Sequence, residues 1–252
     1  MIAYSKKLVR IAEAWNGETP DSTRIDLIRL FQQPAPIQNM LCREFYTILL
    51  DLKEEPDALL SKVKKETRYE INRASTKDNL THEYLNAKQR DVFDEFCNYY
   101  DRFALQKGQP VINRRWLRLM AETENLIVSR VRETTGESLV WHLYYRSGER
   151  VTLLHSASLF RNSNSSRYRN RVGRANRFLH WQDFLNFRAA GVSLYDFGGW
   201  YEGDKDEQRL RINKFKEEFG GEIVKNYICE LGITFKGRMF LLIRKLLIGN
   251  AI

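Results

Sequence analysis

The spacing of apolar residues along this chain switches between the two-residue period of strands and the 3.6-residue period of helices, and each switch marks an element. Residues 46–52 alternate as a strand. Glu54, Glu55, Pro56 and Asp57 then open a helix, with proline and acids in its first turn, that the pattern carries to about residue 74. Leu59, Val63 and Ile71 line one of its faces, and Lys65, Arg68 and Asn72 another. A strand over 80–85 precedes an amphipathic helix over 88–106, with Val92, Phe93, Phe96, Tyr99, Tyr100 and Phe103 as its apolar stripe. Asn113 caps a helix over 114–122. Strands at 126–132, 139–146 and 150–158 follow, with hairpin-like joints at Gly136 and at Ser147-Gly148.

Residues 159–172 (LFRNSNSSRYRNRV) are polar and without period, and a long helix over 173–190 buries Phe178, Leu179, Trp181, Phe184 and Leu185. Residues 193–197 alternate as a buried strand that runs into Gly198-Gly199, where two side chains are missing and something can approach the backbone closely. Leu210, Ile212, Phe215 and Phe219 recur at helical spacing until Gly220-Gly221 ends that helix, and residues 223–231 form a closing strand. Ahead of residue 46 the pattern is weaker. Residues 4–14 fit a strand or a helix, residues 15–21 read as a turn, residues 25–31 are a short apolar element, and Pro34-Ala35-Pro36 breaks it. Residues 1–45 are therefore expected as an extension packed on a main domain of residues 46–252. The fold class is α/β (α+β), a mixed central sheet flanked by helices.

An apolar fraction of 43% supports a packed core, and a formal charge of +9 favours polyanionic partners such as nucleic acid, phosphate-bearing cofactors or acidic lipid surfaces. Cys42, Cys97 and Cys229 are few, odd in number and far apart, which argues against a disulphide framework and against structural zinc. No segment reads as a signal peptide, and no apolar run approaches the roughly 20 residues of a membrane helix. The expected location is the reducing cytoplasm. Residues 239–248 (MFLLIRKLLI) are expected as a final strand or helix packed on the core, with peripheral membrane contact as the alternative.

Two groups of residues carry a resemblance. Tyr195-Asp196-Phe197-Gly198-Gly199, then Phe215-Lys216 and Phe219-Gly220-Gly221-Glu222, resemble the C-terminal signature of the Fem family. Asp51-Leu52 with Lys62, Arg68 and the run Ile71 to Ala74 resemble that family's first strand and helix. Fem proteins are aminoacyl transferases on the Gcn5-related acetyltransferase fold, so the resemblance implies that fold and acyl or aminoacyl transfer to an amine. The implied donors are acyl-CoA (acetyl-CoA) or aminoacyl-tRNA, with no metal. The implied acceptor is a small-molecule or lipid-linked sugar, or a peptidoglycan or surface-polysaccharide precursor.

Three places are expected to hold the chemistry. The first is the start of the long helix, where Arg169, Arg171, Val172, Gly173, Arg174 and Ala175 are assigned to the donor diphosphate. A helix N-terminus offers unpaired N–H groups and a positive dipole end. The acetyltransferase pattern for that loop is kept at Gly173 and Ala175, with Asn170 in the first place. The second is the hairpin at Ser147-Gly148. A two-residue loop sets Arg146 opposite Glu149 and Val140 opposite His155, with His142 diagonal to His155 on one face. His155 is assigned as general base, and His142, Ser156 and Ser158 to the acceptor. The third is Asp196 with Lys216: Asp196 orients or deprotonates the amine, Lys216 neutralises developing negative charge, and Tyr201 stands in for an acid. Arg68, Gly198, Gly199 and Trp200 complete the acceptor side.

Two rival readings share the fold. One is a non-catalytic RNA- or membrane-surface-binding protein, expected to show salt-dependent polyanion binding and no transfer. The other is a synthase joining acyl groups from a carrier protein to an amino acid. Oligomeric state is not legible.

Overall fold

The computed structural model describes residues 1–6, 8–15 and 24–249. In chain order its elements are β1 (Ile2–Lys6), β2 (Val9–Trp15), β3 (Leu27–Gln33), β4 (Leu41–Asp51), α1 (Pro56–Lys62), α2 (Lys65–Thr76), β5 (Thr81–Asn86), α3 (Arg90–Gln106) and α4 (Arg114–Glu122). They continue as β6 (Leu126–Arg132), β7 (Ser138–Ser147), β8 (Arg150–Ser158), α5 (Ser166–Ala189), β9 (Leu194–Gly199), α6 (Glu207–Glu217), β10 (Glu222–Gly232) and α7 (Phe235–Gly249). The chain divides into two compact units, residues 1–47 with 224–252, and residues 48–223. The sequence reading leaves 224–252 with the larger part; in the structure these residues group with the N-terminal strands.

In the smaller unit the strand order is β1-β2-β3-β10. Residues 4–14, which the pattern left open, form the β1–β2 hairpin. Of the turn expected over residues 15–21, Trp15 is the last residue of β2 and residues 16–21 lie outside the described residues. Arg29 bridges the buried carboxylates of Glu13 and Glu230, and Arg244 of α7 also reaches Glu230. Residues 239–248 fall within a helix, α7, whose Phe240 and Leu241 pack on Val9, Ile11 and Leu27. Contrary to the sequence expectation, Cys42 and Cys229 form a disulphide across 187 residues of chain. Neighbouring strands bring the two sulfurs together, which linear spacing cannot disclose. Disulphides persist in oxidising compartments, so cysteine usage no longer supports a reducing location. No described helix is long and apolar enough to cross a membrane.

In the larger unit the order is β4-β9-β8-β7-β6-β5. β5 to β8 are antiparallel neighbours and β9 joins β8 in parallel, which gives the mixed sheet that the pattern predicts. α3 covers one face, where Trp141 meets Phe96 and Tyr99. α5 covers the other, where Phe187 packs edge-on against Tyr144 at 4.9 Å. Phe184, Tyr195, Phe197 and Phe219 are fully buried between α5 and the sheet. Each such side chain contributes about 1.5–3 kcal/mol of transfer free energy.

Three local departures from the sequence pattern shape this unit. The helix expected to run to residue 74 breaks into α1 and α2 at Val63-Lys64, where both residues are extended. Val63 is buried in the core and the Lys64 N–H is donated to the Glu218 carbonyl, so tertiary contacts outweigh helix continuity. Next, α5 begins at Ser166, whose neighbour Ser165 caps it by accepting the Tyr168 N–H. The stretch read as loop up to Val172 is thus two helical turns, and Gly173 lies in the helix interior.

The third departure is the β7–β8 hairpin. Ser147 opposes Arg150, so the turn residues are Gly148 and Glu149 instead of the predicted pair. A bulge then inserts Leu154: Tyr144 opposes Leu153, while Leu143 opposes His155. Because side chains alternate across a strand, the extra residue turns His155 to the face opposite His142. The β8–β9 ladder runs from Arg150–Leu194 to Thr152–Asp196 and goes no further.

Candidate active site

Beyond the end of that ladder lies a cavity of about 500 Å³. β8 contributes Leu153, Leu154, Ser156 and Ser158 from around the bulge, and β9 contributes Phe197, Gly198 and Gly199. Asn176 and His180 of α5 form one wall, and Phe215 and Lys216 of α6 another. Lys107, Arg161 and Arg211 stand around it, and among the described residues no carboxylate lines it. Lys107 is held below its ordinary pKa by burial and then by the Arg161 charge. Four cations without an acid make this a place for a negatively charged ligand.

Lys216 is buried, and its ammonium donates to the Gly199 carbonyl at 2.5 Å and the Gly198 carbonyl at 3.2 Å. Burial lowers its pKa to about 8, against the opposing pull of Asp196. Gly198 has φ +70°, and a Cβ there would sit 2.8 Å from the Leu153 carbonyl oxygen. This position therefore needs glycine both for its backbone angle and for the close approach of β8.

Of the residues expected from sequence, Ser156, Ser158, Gly198, Gly199 and Lys216 are brought together in the cavity. The others are placed elsewhere. Asp196 is fully buried with its carboxylate held by Arg150 at 2.6 Å, and it accepts the Gly198 N–H at 2.8 Å, so it shapes the glycine turn. His155 lies against the Tyr100 ring, with burial pushing its pKa down to about 4. Tyr201 exchanges backbone hydrogen bonds with the Asn213 amide, and Trp200 packs on the core. Arg68 donates to the Leu60 and Ser61 carbonyls in the last turn of α1.

The arginine-rich start of α5 is likewise spent internally. Arg171 reaches the Asp78 carbonyl and Glu133, Arg174 pairs with Asp78, and Val172 and Ala175 are core residues. Arg169 is exposed, and Gly173 faces the Arg177 side chain. None of the six residues assigned to a diphosphate lines the cavity. With the helix already under way at Ser166, their N–H groups are not the free ones of a first turn.

Behind the cavity is a buried polar network that the sequence reading missed. Asp183 of α5 is fully buried, and its carboxylate contacts Tyr144 at 2.7 Å, Ser129 at 2.8 Å, His142 at 3.1 Å and His82 at 3.3 Å. Burial alone would raise its pKa; the hydrogen bonds from His142, His82 and Tyr144 outweigh that, and the net direction is down. Two arms run from Asp183 to the cavity wall. One passes through His142 to Asn176 at 2.8 Å. The other passes through Tyr144 to Tyr195 at 2.9 Å, and from Tyr195 to His180 Nδ1 at 2.9 Å.

The second arm settles its own protons. Burial, then the Asp183 charge, raises both tyrosines well above the ordinary phenol value, so each keeps its proton. An ionised Asp183 only accepts, so Tyr144 donates to it. The Tyr144–Tyr195 hydrogen bond must then use the Tyr195 proton. The Tyr195 oxygen in turn accepts from His180 Nδ1–H. Burial, then the charges of His142, Lys216 and Arg177, holds His180 well below its ordinary pKa, so the ring is neutral and Nε2 is left as a base. No described residue is hydrogen-bonded to that nitrogen, and the ring lines the cavity.

A sequence signal for this existed. Asn176, His180 and Asp183 are spaced i, i+4 and i+7, which puts three polar groups on the apolar face of α5, where a polar residue is out of place unless it is partnered. Among the described residues, no cluster of three or more His, Cys, Asp or Glu is placed to hold a metal ion.

No protein-family model matches this sequence, and no curated protein matches it. The fold does have relatives among solved structures. The crystal structure of FemX superposes with a TM-score of 0.66 at 12% identity, over 90% of this chain and 82% of FemX. L-PGS from Bacillus licheniformis superposes with a TM-score of 0.54 at 11% identity, over 86% of this chain and 72% of L-PGS. At such identities the likeness shows the fold alone: this chain shares the architecture of FemX and L-PGS, in keeping with the Fem-like fold that the motifs around Asp51 and Tyr195 imply.

Proposed function

We propose that this protein is an N-acyltransferase that moves an acyl or aminoacyl group from an anionic thioester or ester donor, acyl-CoA or aminoacyl-tRNA, to an amine. The acceptor class is a sugar amine or a peptidoglycan or surface-polysaccharide precursor. The observation that carries the reading is the cavity itself: three cations and no described carboxylate around a neutral histidine base and the buried Lys216 ammonium.

In this scheme Lys107, Arg161 and Arg211 hold the donor's phosphates, and Lys216 faces the reacting carbonyl. The amine nitrogen attacks the carbonyl carbon, and the Lys216 ammonium stabilises the oxyanion that forms. His180 Nε2 takes one proton from that nitrogen. The tetrahedral carbon re-forms its double bond, the carbon–sulfur or carbon–oxygen bond breaks, and the proton leaves His180 with the departing thiol or hydroxyl. The products are an amide and the free thiol or alcohol. Tyr195, Tyr144 and Asp183 keep His180 in the tautomer that leaves Nε2 free, and Asp196 holds the glycine turn to which Lys216 is anchored. Much of the rate comes from bringing amine and ester together.

Native mass spectrometry with acetyl-CoA, longer acyl-CoAs and aminoacyl-tRNA offered singly, followed by amine acceptors, tests the reading. One donor class should bind and yield an amide. Tight, salt-sensitive binding of RNA without turnover would replace the enzyme with a polyanion-binding protein on the same fold, and no binding of any donor would end the proposal.

A further inference from the structure

Helix α7 leaves a large apolar stripe uncovered. Phe235, Met239, Leu242 and Leu246 recur at i, i+4, i+7 and i+11, one line along the helix. All are exposed, Phe235 by 78%, Leu246 by 60% and Leu242 by 51%, and Ile243 beside them is exposed as well. The opposite side is the one that packs, through Phe240 and Leu241. A contiguous row of large aliphatic and aromatic groups on a helix marks a docking face, not scattered surface apolarity.

The charge around the row says what docks. Lys236, Arg238 and Lys245 are exposed beside it, Arg244 is occupied by Glu230, and α7 contains no acidic residue. An apolar stripe flanked by cations, on a helix whose other side packs on the protein, suits the boundary between anionic headgroups and acyl chains. Nucleic acid would use the cations but not the stripe, and a second copy of this helix would bring like charges together.

We propose that α7 docks this protein on an anionic membrane surface, with Phe235, Met239, Leu242 and Leu246 in the acyl boundary and Lys236, Arg238 and Lys245 at the headgroups. The inference is independent of the transferase reading.

Co-sedimentation of the full chain with phosphatidylcholine vesicles, with and without phosphatidylglycerol, tests it. Binding should require the anionic lipid. Lys236→Ala and Lys245→Ala should each weaken it about fivefold. The pair Leu242→Ser and Leu246→Ser should weaken it about a hundredfold. These side chains lie outside the packed face, so the thermal melt of the variants should match that of the parent chain. No sedimentation with anionic vesicles would overturn the proposal, as would undiminished binding by the double serine variant. A self-association in solution that the serine pair abolishes would assign the stripe to a second copy instead.

Discussion

The two halves of α5 make opposite use of polar residues. Its first half is rich in arginine, and three of these are tied to acids of the chain: Arg171 to Glu133, Arg174 to Asp78, Arg177 to Glu70 and Glu218. Its second half is mostly apolar, with His180 and Asp183 among the aromatics, and those two, with Asn176 just ahead of them, reach the cavity or the network behind it. Much of that charge thus serves to hold the helix in place, whereas the sparse buried polar groups line the cavity or the network behind it. The physical reason is cost. An exposed arginine finds an acid or water easily, while a buried aspartate is tolerated only when its hydrogen bonds are satisfied, and that demand fixes its neighbours.

Five experiments test that contrast. Lys216→Met removes the buried ammonium and should lower transfer by about 10²–10³, with the loss read in kcat. In the parent chain the rate should fall as pH passes about 8, where the ammonium gives up its proton; a rate that holds or rises there would show Lys216 working as a neutral amine. His180→Gln should cost roughly 10² in kcat with donor affinity unchanged; full activity would remove the second half of α5 from the chemistry.

His155, on the other face of the sheet, supplies a control. Its folded pKa of about 4 lies below its ordinary value of 6.5. The unfolded chain therefore takes up a proton that the folded chain refuses, and stability falls as pH drops from about 6.5 to about 4. His155→Gln should remove roughly 3 kcal/mol of that decline in urea titrations, while His180, shifted in the same direction, leaves a remainder. Transfer by this variant should be unchanged, and a large loss would return His155 to the site. The smallest effects belong to the donor contacts. Arg161→Ala and Arg211→Ala should each weaken donor binding about fivefold by calorimetry, and Arg171→Ala less than about twofold. The reverse order would restore the start of α5 as the phosphate site.

Much of the architecture was legible in the chain. α4 and its Asn113 cap, β6, β8 and the run into Gly198-Gly199 lie where the pattern puts them, because each is set by local periodicity or by a single capping residue. Gly198 and Gly199 were legible as cavity-lining residues because a doubled glycine after a strand announces a backbone constraint in the sequence itself, and Lys216 through the Fem-like pattern at Phe215-Lys216. His180 and Asp183 were marked only by polar residues on an apolar helix face, because their meaning comes from Tyr195, Tyr144 and His82, residues 15 to 101 positions away along the chain.

By itself the sequence determined most of the element order between residues 80 and 231, the mixed sheet and the glycine turn, since hydrophobic period and backbone freedom are local properties. Tertiary structure alone decided which charges are spent on each other, which face each histidine takes and which cysteines join. A single inserted residue, Leu154, turns His155 away from His142, and pairing across 187 residues makes the disulphide. Both depend on register and on the meeting of distant strands, which no local pattern encodes.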